Sequence, residues 1–273
     1  MIDGIILKMI NEYEKLTLDK ILSFCSSWLF SADNIIYFEE TSSTNDIAKK
    51  IAGEGAPEGT IVVAESQTLG RGRGGKQWES PKYLGIYFSF ILRPKIDKAL
   101  IPYISMMASI AAAEAIKEET VLDTKIKWPN DLLINGKKVC GMLVEGSTVK
   151  DKLEFLVVGI GINVNNEFFP GSYLYPPTSL KIEKGIPLSR KKILKRLLEK
   201  TEQWYSVLVW QKESHLILKR CKELSHTIGK IISVRTGNEI FKGYALDIDK
   251  TGYLILEKEN GEIKKIPSGE III

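Results

Sequence analysis

Apolar residues recur along this chain with two spacings, one helical and one alternating or continuous, and the switches between them mark the elements. From residue 2 to about Phe30 the spacing is helical, broken near Leu16-Thr17, where a capping residue can restart a helix. Ile35-Ile36-Tyr37-Phe38 reads as a short buried strand. Ser43-Thr44-Asn45-Asp46 reads as a helix start, with side-chain oxygens to cap free N–H groups and an acid in the first turn. Residues 53–59 predict a loop, 60–64 a strand, and 85–92 a strand ended by Pro94. Residues 104–119, rich in Ala, Met and Ile, predict a largely buried helix. Strands follow at 125–128, 131–134 and 138–145, the last two joined by an Asn135-Gly136 hairpin turn, and again at 153–164. Residues 189–220 predict a long amphipathic helical region. Beyond Gly229 the turn signals Thr236-Gly237-Asn238, Lys250-Thr251-Gly252 and Asn260-Gly261 separate short strands, and that spacing reads as a small barrel. The organisation expected is a helical segment over 1–34, a main domain over 35–228 and a small domain over 229–273.

Composition narrows the chemistry. The chain has 273 residues, 44% hydrophobic and 26% charged, which fits a globular α+β protein. No apolar run in the sequence reaches the roughly 18–20 residues of a membrane span, and the first residues lack the basic start of a signal peptide. Three scattered cysteines form neither a disulfide framework nor a zinc pattern, so a reducing cytoplasm is expected. The net charge of +4 does not by itself call for nucleic acid. Only two histidines are present, His215 and His226, which argues against a histidine relay or a His-ligated metal.

Gly70-Arg71-Gly72-Arg73-Gly74-Gly75-Lys76 is the most unusual stretch. It matches both the dinucleotide fingerprint and the start of a P-loop, and both fail on context. Gln77 stands where a P-loop needs a hydroxyl for magnesium, and the segment runs into Trp78-Glu79-Ser80-Pro81 rather than into a helix. What is left is a glycine loop carrying two guanidinium groups and an ammonium, suited to carboxylate or phosphate oxygens. A solvated basic turn has the same composition.

The loop's place among four ordered segments, with a fifth following, decides between them. Ser43-Thr44-Asn45, then Gln67 through Trp78, then Lys127-Trp128-Pro129-Asn130-Asp131, then Lys138 through Glu145, followed by Gly159-Ile160-Gly161-Ile162-Asn163-Val164, occur in an order that resembles the biotin protein ligase family. The resemblance implies a mixed central sheet flanked by helices, of the class II synthetase-like kind, followed by a small SH3-like β-barrel. It implies formation of biotinyl-5′-AMP from biotin and ATP with Mg2+, then transfer of biotin to one lysine of a biotin carboxyl carrier domain. Carried over by position, Ser43, Thr44, Asn45 and Gln67 would line the biotin pocket, with Gly70 and Gly141 beside it. Arg71, Gly72 and Arg73 would close over biotin and the adenylate. Lys138 would reach the biotin carboxylate and the α-phosphate, and with Arg71 and Arg73 would carry the catalysis. Trp78, Asn130, Asp131 and Asn163 would serve the nucleotide, and no side-chain metal ligand is assigned.

The physics of the reaction agrees with these residue types. Acyl adenylation brings two anions together, so fixed cations must offset their repulsion and spread the developing charge. A ureido ring needs a few aligned hydrogen-bond partners in an apolar pocket. Some positions also have plainer readings: Trp128 as a strand end in the core, Asn163 as a structural amide, Cys140 as an inert buried thiol, and Arg190 to Arg196 as the exposed face of a helix. The loop departs from the usual family pattern at Gly74-Gly75 and Lys76-Gln77. Because few residues precede Ile35 and Leu18 to Phe30 are nearly uncharged, no repressor domain and no DNA partner are expected; nor is a membrane. A lipoate ligase, a biotin-sensing regulator and a non-catalytic adaptor are the rival functions. Oligomeric state, homodimer included, is left open.

Overall fold

A computed structural model describes residues 15–150, 152–171 and 173–272, and for Val149 only the backbone. The helix expected within residues 2–14 therefore lies outside the described residues. The larger of two sheets has seven strands, in the order β1 (Ile35–Phe38), β2 (Ile61–Ala64), β3 (Gly85–Leu92), β7 (Lys152–Asn163), β6 (Lys137–Val149), β5 (Asp131–Ile134) and β4 (Lys125–Lys127). β1 and β2 are parallel and the other neighbours antiparallel, so the sheet is mixed.

Both faces of this sheet are covered, which is why every residue of β3 is buried and all but Ser89 and Gly85 carry large apolar or aromatic side chains. On one face Ile86, Phe88 and Phe90 share a core with Ile104, Met107 and Ala111 of α3 (Ile101–Thr120) and with Leu194 and Leu197 of α5 (Arg190–Val209). On the other, Ala48 and Ala52 of α2 (Thr44–Gly53) meet Val62, Ile91 and Val157. Alanine at those helix positions lets the backbone come close to the strands. Among the described residues one helix, Lys98–Thr120, is long and apolar enough to cross a membrane by length and composition, although Glu114 and Lys117 interrupt its apolar run. Two-thirds of its most apolar window is buried inside the protein, because it is the central helix of this core.

Several expectations need correcting. Only α1 (Leu18–Leu22) is helical in the segment expected to continue to Phe30. It ends at Ser23, whose hydroxyl donates to the Lys20 carbonyl (2.7 Å), and Ser26 instead bridges to Ser31. The segment nevertheless belongs to the core: Leu16, Ile21, Leu29 and Phe30 are all buried. The long helical region divides into α5 and α6 (Ser214–Glu223), parted at residues 210–213. Arg190, expected on an exposed basic face, is 1% exposed and pairs with the fully buried Glu65 at 2.5 Å. A buried guanidinium with a carboxylate partner is the arrangement burial of charge requires.

The expected C-terminal SH3-like barrel is not formed. The second sheet has the order β11 (Ile263–Ile266), β10 (Leu254–Glu257), β9 (Glu239–Ile248), β8 (Ile231–Thr236) and β12 (Glu270–Ile272), and its edge strands β11 and β12 do not pair. Residues 267–269 connect them, so the end of β11 and the start of β12 lie within about 14 Å of each other, yet no ladder joins the two strands. Pro267, directly after β11, has no N–H to donate to a closing ladder, and β12 is three residues long. The open sheet is tied to the main one by Trp128, whose indole N–H donates to the Gly252 carbonyl (3.1 Å), and by the Tyr103 hydroxyl, which donates to Lys250 (2.8 Å). Trp128 is thus the core strand end of the plainer reading.

Candidate functional site

A cavity of about 990 Å³ opens on the α2 face of the large sheet and reaches the second sheet. Its floor is made of small residues. Gly159 and Gly161 of β7 lie beside Leu143 and Gly141 of β6 in register, and a side chain at any of these glycines would fill the space. A Cβ on Gly159 would fall 1.9 Å from Asn45 Oδ1, and one on Gly161 2.5 Å from Trp78 Nε1. The paired glycines therefore make room for one polar and one aromatic side chain.

The first end of the cavity is a hydrogen-bonded polar cluster. Ser43 caps α2, its Oγ accepting from the Asp46 N–H (3.4 Å). Gln67 Oε1 accepts from the Thr44 N–H (2.8 Å) and hydroxyl (3.1 Å), while its amide donates to Ser80 Oγ (2.8 Å). Ser89 of β3, absent from the sequence-based set, lies 2.6 Å from Asn45 Oδ1 and 2.8 Å from Thr44 Oγ1. These contacts fix the amide and hydroxyl orientations before any ligand arrives.

The opposite end is cationic. Asp131, at the start of β5, holds Lys138 Nζ at 2.7 Å on one oxygen and Lys127 Nζ at 3.2 Å on the other. Burial would raise the Asp131 pKa, but Lys138 and Lys127 together hold it below the usual range. Burial pushes the Lys127 ammonium below its ordinary value, opposed by Asp131, and it sits 4.0 Å from the Tyr175 ring centre. Burial likewise pulls Arg73 down, and its guanidinium donates to Asn130 Oδ1 (3.0 Å). The Asn130 amide in turn donates to the Met142 carbonyl. Lys127, Lys138, Arg73 and Lys76 here face two carboxylates, Asp131 and Glu270, leaving a net positive wall for anions.

Lys138 reaches this wall through a bulge. Asn135 (φ 51°) and Gly136 (φ 77°) form the expected tight hairpin. Strict alternation would then place Lys138 and Gly141 on opposite faces. The register shifts instead, with Leu132 opposite Cys140 and Leu133 opposite Lys138, so Val139 is an extra residue. The shift brings Lys138 Nζ within 3.4 Å of the Cβ position of Gly141 and 5.3 Å from the Trp78 ring. The backbone of Lys138 is also held from outside, by Pro176 and Thr178.

The glycine–arginine loop forms the rim. Gly74 (φ 64°) and Gly75 (φ 76°) take left-handed conformations that allow its tight turn. Gly72 lines the cavity; Gly70 is buried behind it, where a Cβ would fall 2.3 Å from the Trp78 carbonyl. Arg71 turns toward Asp46 (2.5 Å) and Glu145 (3.0 Å). Lys76 pairs with Glu270 of β12, joining the loop to the second sheet. Asn163 lines the cavity, but its amide donates to the Thr178 carbonyl (3.0 Å), as a structural amide would. Cys140 is fully buried, and burial pushes its thiol up.

All the candidate residues except Gly70 thus line one cavity. Sequence reasoning missed Ser89, Lys127, Tyr175, Glu145 and Glu270 as site residues. Lys127 and Glu145 stand inside the quoted motifs and could have been taken from them. Ser89 within an apolar strand, and Glu270 in the last strand, carry no local signal.

Comparison with known proteins points in one direction. The profile described as Biotin/lipoate A/B protein ligase family matches residues 37–163, and that of the Biotin protein ligase C terminal domain matches residues 227–273. The bifunctional ligase/repressor BirA of Bacillus subtilis is 38% identical over 240 residues, 87% of this chain and 73% of its own. The biotin–[acetyl-CoA-carboxylase] ligase of Paracoccus denitrificans is 31% identical over 241 residues, 85% of this chain and 97% of its own. Among solved structures, the biotin protein ligase of Aquifex aeolicus in complex with biotin and ATP has a TM-score of 0.75 at 31% identity, covering 87% of this chain and 97% of that one.

Proposed function

The chain belongs to the biotin protein ligase family, and from that premise we propose that it condenses biotin with ATP and passes the biotinyl group to a lysine of a biotin carboxyl carrier domain. The observation that carries this reading is the single cavity with an ordered polar end and a cationic end, large enough for an acyl adenylate. Biotin's ureido ring would sit among Ser43, Thr44, Asn45 and Gln67. Its carboxylate would point toward Lys138, and the adenine would lie against Trp78, whose buried indole N–H has no hydrogen-bond partner among the described residues.

In the first step a carboxylate oxygen attacks the α-phosphorus, the bond to the β-phosphate oxygen breaks, and pyrophosphate leaves. Lys138, Lys127 and Arg73 offset the charge that gathers on the phosphoryl oxygens. In the second step the carrier lysine, as a free amine, attacks the acyl carbon; AMP leaves with the bonding pair, and the amine proton goes to solvent. No covalent bond to the protein is needed. Magnesium belongs to the substrate as Mg·ATP. Among the described residues no group of three or more His, Cys, Asp or Glu gathers, and Asp131 already serves two lysines. That donor set fits an ion carried on phosphate oxygens with at most one protein carboxylate. A reducing, cytoplasmic setting suits the three free buried thiols.

The test is pyrophosphate release from purified protein. It should require both biotin and ATP, yield biotinyl-AMP, and resist competition by lipoate. Release that is independent of biotin, or equally supported by lipoate, would overturn the assignment.

A further inference from the structure

One charged cluster at the cavity rim is not used by the chemistry above. Glu145, on β6, is largely enclosed, with 18% of its side chain exposed. Its Oε1 accepts from Arg71 Nη2 (3.0 Å) and from Lys49 Nζ (3.0 Å). Its Oε2 accepts from Arg71 Nη1 (3.2 Å) and from Asn45 Nδ2 (3.0 Å). Asp46 adds a contact to Arg71 Nη1 at 2.5 Å. One carboxylate thus joins the glycine–arginine loop, helix α2 and the sheet, across separations of 74 and 100 residues in sequence.

We propose that Glu145 is a positioning residue that holds the glycine–arginine loop over the cavity by gripping Arg71 with both oxygens, while fixing the amide of Asn45. Arg71 then acts as the anchor of the loop rather than as a ligand-contacting cation, and Arg73 is the arginine the loop delivers to the site. The direction of the side chains supports this division. Arg71 faces two carboxylates at the rim, whereas Arg73 is directed to Asn130 on the cationic wall. Asn45 is oriented by the same carboxylate: its N–H group meets Glu145, so its oxygen must face Ser89. The pocket wall and the loop are therefore set by one group.

The chemistry of Glu145 gives a sharp discrimination between a steric and an electrostatic role. Every neighbour of its two oxygens is a donor. Glu145→Gln keeps shape and length, yet whichever way the amide turns, its NH2 meets donors on one side and the charge is lost. Glu145→Asp shortens the side chain but keeps the charge, and the flexible stems of Arg71 and Lys49 can follow it.

The functional consequence rests on the adenylate-forming reading, but the positioning itself is measurable without substrates. Hydrogen exchange of residues 70–78 in the ligand-free protein should quicken about tenfold in Glu145→Gln, the low end for a lost charge-assisted contact because Arg71 is 38% exposed. Arg71→Gln should give the same increase, and the double variant no more than either alone. Glu145→Asp should recover most of the protection. With substrates, Glu145→Gln should release biotinyl-AMP about tenfold faster. A folded Glu145→Gln with wild-type exchange, protection kept by Gln and lost by Asp, or additive effects in the double variant would each overturn the proposal. Should Glu145→Gln not fold, unchanged exchange in Arg71→Gln would do so. Altered exchange in a protein that makes no biotinyl-AMP would leave the positioning intact and remove the functional reading.

Discussion

Replacing Lys138 by Ala isolates the charge placed closest to the proposed reaction. The Lys138 side chain is 29% exposed, so an effective dielectric near 20 is appropriate, and a unit charge about 4 Å from a phosphoryl oxygen is then worth roughly 4 kcal/mol. Asp131 at 2.7 Å already takes part of that field, which lowers the useful share to about 3–4 kcal/mol, or roughly 10²–10³ in rate. Single-turnover adenylation at saturating biotin and Mg·ATP should slow by that factor. Biotin binding measured by calorimetry without ATP should weaken much less, because the charge matters most as the transition state forms. Stability should fall by only about 1–2 kcal/mol in urea, since Asp131 keeps Lys127. Lys138→Arg should recover little. The space is bounded by Trp78 and Gly141, and a planar fork does not replace a compact charge there. A folded Lys138→Ala that adenylates within threefold of wild type would refute the assignment of the cationic wall.

Four other outcomes are expected. Arg73→Gly should lose biotinyl-AMP roughly 10- to 150-fold faster and biotinylate bystander lysines, read by adenylate dissociation and by mass spectrometry of a mixed protein pool. Gly161→Ala should displace the Trp78 indole and raise the KM for ATP about tenfold, with biotin affinity little changed, since overpacking of this kind costs about 1–3 kcal/mol. Glu39 is pulled down to about 2, chiefly by the Tyr83 hydroxyl; burial, the next largest effect, opposes this, and Tyr37, Lys82 and Lys15 add to the lowering. Its contribution is complete above its ordinary value of 4.5 and is lost as pH falls toward 2, so the melting temperature of Glu39→Gln should decline less steeply than wild type across that window. Removing residues 1–34 takes away buried Leu16, Ile21, Leu29 and Phe30, worth about 1.5–3 kcal/mol each against a total of 5–15, so the truncated chain should fail to fold; a soluble, cooperative 35–273 fragment would contradict this.

What could be read from the sequence was whatever local chemistry determines. The Asn135-Gly136 turn, the capped start of α2 at Ser43 and the largely apolar run of β3 each carry their cause within a few residues. Three of the turns between the C-terminal strands were readable for the same reason, whereas the break at residues 267–269 and the openness of that sheet were not. The three turn signals mark four strands where five form, and they do not say whether the sheet's edges will pair; here Pro267 and the short β12 leave β11 and β12 apart. Charge patterning failed at Arg190 because its partner, Glu65, stands 125 residues away, just after β2, where an acid reads as the start of a loop.

The site divides along the same line. The cationic segments announce themselves by composition, but their meeting depends on one misregistered residue. With β6 in perfect alternation, Lys138 would leave the cavity face on which Gly141 and Glu145 stand, and Asp131 would hold Lys127 alone. The bulge at Val139 is therefore as much a part of the site as the lysine it redirects. Nothing in the order of amino acids between Lys137 and Glu145 fixes that bulge by itself; it needs β5 on one side and the Pro176–Thr178 backbone on the other. The glycines of β7 follow a similar logic. Read alone, Gly159 and Gly161 weaken a strand. Opposed to Asn45 and Trp78, they become the only residues that let an amide and an indole enter the same floor. Positions that look costly in one dimension are thus the ones where two distant segments must share space.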